Sequence, residues 1–178
     1  MRSKLNATTT LFGSFATLQA GQRALLLNND DPALARWALE AVEPNGQVTA
    51  LHSSHRALNT LARVPGLATA ATVYPDPAQH GEADVALLEF PKGREAARAW
   101  LWTAAQSVKP GGWLYLAGAN AAGAKSAIKD AEALFGAAPV LGHKGGHRVA
   151  LATRPDAVSL PPAWGDTRPW EPRAISLT

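Results

Sequence analysis

Short apolar runs alternate along the chain with segments in which apolar residues recur every three or four positions. Arg23-Ala24-Leu25-Leu26-Leu27-Asn28 is too continuous for a half-exposed element and predicts a buried strand. It stops at Asn29-Asp30-Asp31-Pro32, where Asp30 or Asp31 can cap a helix and Pro32 can open it. Leu34, Trp37, Ala38 and Ala41 keep helical spacing up to the turn Pro44-Asn45-Gly46. The alternation then repeats. Gln47 to Leu51 reads as a second strand, and Ser53 or Ser54 caps a helix through Leu58, Leu61 and Ala62 that ends at Pro65-Gly66. Ala71 to Tyr74 reads as a short third strand, and Asp84 to Phe90 as the strongest strand of the chain. After Pro91-Lys92-Gly93 the spacing of Ala97, Trp100, Leu101 and Ala104 predicts a helix from about Arg94 to Val108, broken by Lys109-Pro110-Gly111-Gly112. Trp113 to Ala117 is the next strand, Gly118 to Gly123 a loop, Ala124 to Phe135 a helix and His147 to Thr153 the last strand.

Strands and helices in alternation, joined by short loops, predict an α/β fold: a doubly wound, mostly parallel, Rossmann-like sheet with helices on both faces. The end of the pattern differs. Val140-Leu141 and Arg148 to Ala152 lie close together around Gly142 to Gly146, which suits an antiparallel hairpin at the sheet edge. Residues 21–154 therefore form the domain, with residues 1–20 as an N-terminal arm. Residues 155–178 carry five prolines and little periodicity and read as a Pro-rich linker or docking tail. Trp164 and Trp170, together with Ile175 and Leu177, are too apolar for a bare linker, so the tail is expected to pack against a surface, with the domain's own flank as the conservative case and a second copy or a catalytic half as the others. The two tryptophans are expected to be contacts with such a surface and not core of the sheet. Trp37, Trp100, Trp102 and Trp113 sit in helix or strand patterns and read as core.

Composition narrows the chemistry. Cysteine is absent, which excludes disulfides, iron–sulfur clusters, thiolate zinc sites and cysteine nucleophiles, and fits a cytoplasmic setting. No apolar run approaches the roughly 18–20 residues of a membrane span, and hydroxyl residues interrupt the N-terminal segment where a signal peptide needs an apolar centre. Residues 1–100 hold nine bases and nine acids; the net charge of +3 comes from residues 101–178, with eight bases against five acids. This mild imbalance allows nucleic-acid binding without arguing for it; if the domain grips RNA, Lys125, Lys129, Lys144 and Arg148 are the first candidates for the contact. The turn Gly142-His143-Lys144-Gly145-Gly146-His147-Arg148 can touch phosphates or serve only as a hairpin turn. No metal site is expected: His52 and His55, and His143 and His147, read as solvated or capping residues. Neither a phosphate-binding G-x-x-x-x-G-K-[ST] loop nor a hydrolase arrangement is present.

A doubly wound sheet with a closing hairpin, and Lys109-Pro110-Gly111-Gly112-Trp113-Leu114-Tyr115 before the fifth strand, resemble a class I S-adenosylmethionine (SAM) methyltransferase. A tighter resemblance lies around that turn. Phe90-Pro91-Lys92-Gly93, the Trp-bearing helix, and Gly118-Ala119-Asn120-Ala121-Ala122-Gly123-Ala124-Lys125-Ser126 are similar to the N-terminal half of the 16S rRNA guanine-N2 methyltransferases, and Trp164-Gly165-Asp166 is similar to their inter-domain segment. The sequence departs at Ala119, where that pattern carries an acidic residue. The resemblance implies a degenerate methyltransferase-like domain that precedes a catalytic one. It further implies SAM as the family's cofactor, methyl transfer to a guanine amino group of small-subunit rRNA as the family's activity, and the catalytic domain, in the same or a separate chain, as partner. A homodimer through the tail is a further expectation.

Three elements of a SAM site can be sought in the residues. A glycine-rich turn after the first strand lets backbone approach the cofactor, but Asn28-Asn29-Asp30-Asp31-Pro32 has no glycine. An acid at the end of the second strand accepts from the ribose hydroxyls, but His52 or Ser53 stands there. An Asn/Asp-Pro-Pro-aromatic motif after the fourth strand holds the target amino group, but Glu89-Phe90-Pro91-Lys92 occupies that place. Asn28, Asp30 and His52 are thus the weak cofactor candidates, and Glu89, Phe90 and Pro91 the weak catalytic ones, Glu89 as acceptor and Phe90 as stacking ring. No cofactor is expected on this domain. The expected function is a non-catalytic methyltransferase-family domain that supports a catalytic domain or rRNA binding; the alternative is an active SAM-dependent enzyme acting on an rRNA guanine.

Overall fold

The computed structural model describes residues 6–71 and 82–164. Its elements run α1 Ala7–Phe15, β1 Arg23–Leu27, α2 Pro32–Val42, β2 Gln47–His52, α3 His55–Leu61, β3 Ala68–Ala71, β4 Ala83–Glu89, α4 Arg94–Ser107, β5 Val108–Ala119, a 3₁₀ turn Asn120–Ala122, α5 Ala124–Phe135, β6 Val140–Lys144, β7 His147–Thr153 and a 3₁₀ turn Pro162–Trp164. The seven strands form one sheet in the order β3-β2-β1-β4-β5-β7-β6. The first five are parallel, and β7 runs antiparallel to both β5 and β6. The doubly wound sheet and its edge hairpin are therefore as the pattern predicts.

The strands read as continuous apolar runs because both faces are covered. In β1, Leu25 and Leu27 point to one cluster with Leu88, Trp100, Leu101 and Ile128; Ala24 and Leu26 point to the other with Leu34, Ala38, Val85 and Leu87. The helices α4 and α5 cover the first face and α1, α2 and α3 the second. Asp31 caps α2, its Oδ1 accepting from Ala33 N at 2.9 Å, and Ser54 caps α3.

Four details differ from the pattern. The N-terminal segment expected as an arm carries α1, whose Leu11 and Phe12 are fully buried against the sheet. Asn6 caps this helix by accepting from Thr9 N, and Gly142 leaves room on β6 for the ring of Phe15, which a Cβ there would overlap. Strand β3 is Ala68–Ala71; Thr72 to Tyr74 lie outside the described residues. The Lys109–Gly112 turn does not end before β5 but is taken into it as a bulge: Ala83 pairs with Val108 and Val85 with Trp113, while Gly111 and Arg154 tie the bulge to the strand on its other side.

The fourth difference is Trp164. It is only 5% exposed and belongs to the core cluster on the α4–α5 face, with Val158 and Leu160 packed beside it. Its ring lies 5.0 Å from the Arg98 guanidinium carbon. The expectation that this tryptophan cannot join the core of the sheet is corrected. The prolines do not keep the segment away; they let it run back along α4, where Arg154 Nε donates to Ala105 O at 2.8 Å. Trp170, Ile175 and Leu177 lie outside the described residues. Trp100 is buried, and Trp37, Trp102 and Trp113 pack partly buried on the two clusters.

Candidate functional site

A doubly wound sheet binds ligands beyond the carboxyl ends of its strands, where neighbouring connections leave on opposite faces. Here that place is the crevice between β1 and β4, which pair directly. Asn28 closes β1 in the left-handed conformation, φ 55°, and its Nδ2 donates to Glu89 O at 2.9 Å. Asn29 is buried; its Nδ2 donates to the Glu89 carboxylate and its Oδ1 accepts from Asp31 N at 3.0 Å. Both amides thus cross the crevice from β1 to β4. Helix α1 fastens the same spot, since Thr9 Oγ1 donates to Asp31 Oδ2 at 2.6 Å and the Thr8 side chain bonds Glu89.

Burial pushes the Glu89 carboxyl above the usual range. The charges of Asp30 and Asp31 push the same way, and the hydrogen bonds from Asn29 and Thr8 oppose them. At the end of β2, His52 Nδ1 accepts from Ser54 N at 2.9 Å, so this nitrogen is committed to the start of α3. Burial holds the imidazole below its ordinary value, against the pull of the Asp30 charge. Phe90 is buried in the core beneath Gly118, where a Cβ would come within 3.0 Å of the Phe90 Cβ, and its backbone N donates to Ala117 O. Its ring packs in the interior. Pro91 follows, half-buried.

Among the described residues, two elements through which a doubly wound methyltransferase holds SAM are altered. The turn that should expose backbone presents Asn28 and Asn29 side chains bonded across the crevice, and β2 ends without a carboxylate. Asn28, Asp30, His52 and Glu89 lie at one edge: Asn28 is bonded to Glu89, and the Asp30 charge acts on both Glu89 and His52. Asn29, Thr8 and Thr9 were missed there. For the two threonines a weak signal was the Asn6 cap followed by Leu11, Phe12 and Phe15, which marks a helix; for the Asn29 bridge there was none.

The other half of the same edge is basic. His147 opens β7 opposite Ala119 of β5, so the β6–β7 turn lies at the carboxyl edge of the parallel strands. Lys144 is exposed there, and Arg148 Nε donates to Asn120 Oδ1 at 2.6 Å. Lys125 is exposed in the first turn of α5, and Lys129 one turn further along the helix. Between the starts of α4 and α5 opens a cavity of about 330 Å³. Behind it Asp130, 3% exposed, accepts from both Arg94 and Arg98. Among the described residues no group of three or more metal-ligating side chains occurs, and no helix is long and apolar enough to cross a membrane.

Residues 15–138 match the family model described as the methyltransferase small domain N-terminal. The chain belongs to that family. Its members' fold is that of the class I SAM methyltransferases, and the solved structures agree. The 16S rRNA N2 methyltransferase RsmC of T. thermophilus, solved with AdoMet and guanosine, is 28% identical, with TM-score 0.70 over 90% of this chain. The chain spans 42% of the length of that protein. TrmN from Thermus thermophilus, 19% identical with TM-score 0.64 over 86% of this chain and 50% of its own, and the N-methyltransferase NodS from Bradyrhizobium japonicum, 18% identical with TM-score 0.61 over 83% of this chain and 94% of its own, share the fold. None of the curated protein sequences matches.

Proposed function

We propose that this methyltransferase small N-terminal domain is a non-catalytic companion. It supports a catalytic SAM-dependent domain that methylates a guanine amino group of small-subunit rRNA, and it helps to hold that RNA. The carrying observation is the crevice itself: the two asparagine amides that bridge β1 to Glu89 take up the space through which a methyltransferase meets its cofactor. The likeness to RsmC supports the choice of rRNA and of guanine N2 as the family's chemistry. The basic half of the carboxyl edge supports a role toward RNA.

In this arrangement the domain's residues perform no methyl transfer. Glu89 is occupied by Asn29 and Thr8, and Phe90 is buried, so neither holds a base. Incubating the chain with small-subunit rRNA and SAM carrying a tritiated methyl group tests this. The expected result is no label in the RNA; label transferred in proportion to the chain, and lost in Glu89→Ala, contradicts it and supports an active enzyme. Mass in solution with and without a family catalytic domain tests the partner: a one-to-one complex is expected, and a homodimer indifferent to that domain contradicts it.

A further inference from the structure

We propose that the cavity between the starts of α4 and α5 is a seat for an RNA backbone phosphate and continues the basic edge of Lys125, Lys144 and Arg148. This rests on the reading of the domain as one that helps to hold rRNA. The cavity measures about 330 Å³, and among the described residues Lys92 and Arg94 are the charged side chains that line it. The remaining lining is small: alanines, two glycines and Ser126. A cleft walled by small residues, with its charges of one sign, admits a compact anion and concentrates it.

The two cations are differently prepared. Arg94 is fixed: its Nε and Nη2 each donate to Asp130 at 2.9 Å, leaving Nη1 outside these bonds, and the side chain stays 57% exposed. Asp130 is shared with Arg98, Nε to Oδ2 at 3.1 Å, and Arg98 in turn meets Glu95, so these four groups balance and the net positive charge of the cavity is that of Lys92, with Arg94 Nη1 as an added donor. The nearby carboxylate of Glu95 turns to Arg98 at 3.6 Å and does not line the cavity. Lys92 is exposed and has no ion pair among the described residues. The walls add backbone donors. Gly93 and Gly123 start helices of 14 and 12 residues, and neither start is closed by a side-chain cap.

The position selects a polymer over a free anion. The 3₁₀ turn that forms one wall carries Asn120, which is bonded to Arg148, and α5 places Lys125 next to Ser126. A free phosphate meets only the cavity. A backbone running along the edge meets the cavity and then Lys125, Arg148 and Lys144 in succession.

The test is fluorescence anisotropy of the full chain with a labelled single-stranded oligoribonucleotide of mixed sequence, repeated over salt, and amide NMR during titration with inorganic phosphate. Two variants address the cavity. Lys92→Ala removes a cation, and Ser126→Glu puts a carboxylate at the third position of α5, where a negative charge favours the helix and folding is kept. Arg36→Ala on the opposite face of the sheet is the control. The expected result is RNA binding weakened at least fivefold by each cavity variant and not by the control. The salt slope should fall by about 0.7 for the lost phosphate contact, and phosphate should shift the amides of residues 93–95 and 123–126. RNA binding that both cavity variants leave unchanged, while Lys144→Ala with Arg148→Ala abolishes it, overturns the cavity and leaves the reading of the domain intact. Phosphate shifts at the cavity with no RNA binding at all overturn the assignment to RNA, and with it the RNA part of that reading.

Discussion

Glu89 shows how a side chain that reads as a catalytic acceptor becomes part of a seal. A half-buried carboxylate among Asp30 and Asp31 is held above its ordinary pKa, chiefly by loss of water. For an acid raised on folding, the contribution to stability is whole below the unfolded pKa and declines as pH rises through the folded one. Glu89→Gln keeps an acceptor for Asn29 and removes the charge. Its melting temperature should rise relative to the parent as pH goes from 4 to 8, with the two nearly equal at pH 4; a difference that does not change with pH contradicts this account of the cluster. Asp130 has the opposite sign. Burial pushes its carboxyl up, but the hydrogen bonds and charges of Arg94 and Arg98 prevail and hold it below the usual range. Its stabilisation is therefore present above the unfolded pKa and lost as pH falls through the folded one. Asp130→Ala leaves the buried Arg98 without that carboxylate and should cost about 3–5 kcal/mol in urea unfolding at pH 7. A cost under about 1 kcal/mol, the range of exposed pairs, contradicts the burial argument.

The C-terminal segment shows the same logic in an element without regular structure. After β7 the chain crosses α4, fastens through Arg154 to Ala105 O, and sets Trp164 over Arg98. Trp164→Ala should destabilise the domain by about 3–5 kcal/mol and open residues 155–164 to limited proteolysis. A fully stable variant whose segment stays protected contradicts this packing. Strands β1, β2 and β4, helices α2 to α5 and the β6–β7 hairpin were legible in the sequence because each is announced twice, by period and by a turn or cap such as Asp31-Pro32 or Gly145-Gly146, whereas β3 lies earlier than the pattern placed it and β5 begins at Val108, before the expected Trp113. The Trp164 clasp and helix α1 were not. Proline-rich and threonine-rich stretches carry weak local signals, and both are held by contacts to residues far along the chain, Arg98 for one and Asp31 and Glu89 for the other. The crevice was legible only in part: the missing glycine and the missing acid could be read, whereas the bridge by Asn29 could not, because nothing local ties it to a strand 60 residues away.

Taken as a body, the domain keeps the sheet, the order and the layers of a class I methyltransferase while its carboxyl edge divides by charge. Over β1 and β4 lie Asp30, Asp31 and Glu89; over β5, β7 and β6 lie Lys125, Lys144 and Arg148, with Lys92 and Arg94 at the boundary. On the proposed reading, the bonds of Asn28, Asn29, Thr8 and Thr9 across the first half stand where methyl transfer needs an opening to a cofactor. Isothermal titration calorimetry of the chain with SAM examines the closure itself. No binding heat up to millimolar SAM is predicted, together with an unchanged melting temperature. A micromolar dissociation constant, competed by S-adenosylhomocysteine, contradicts it.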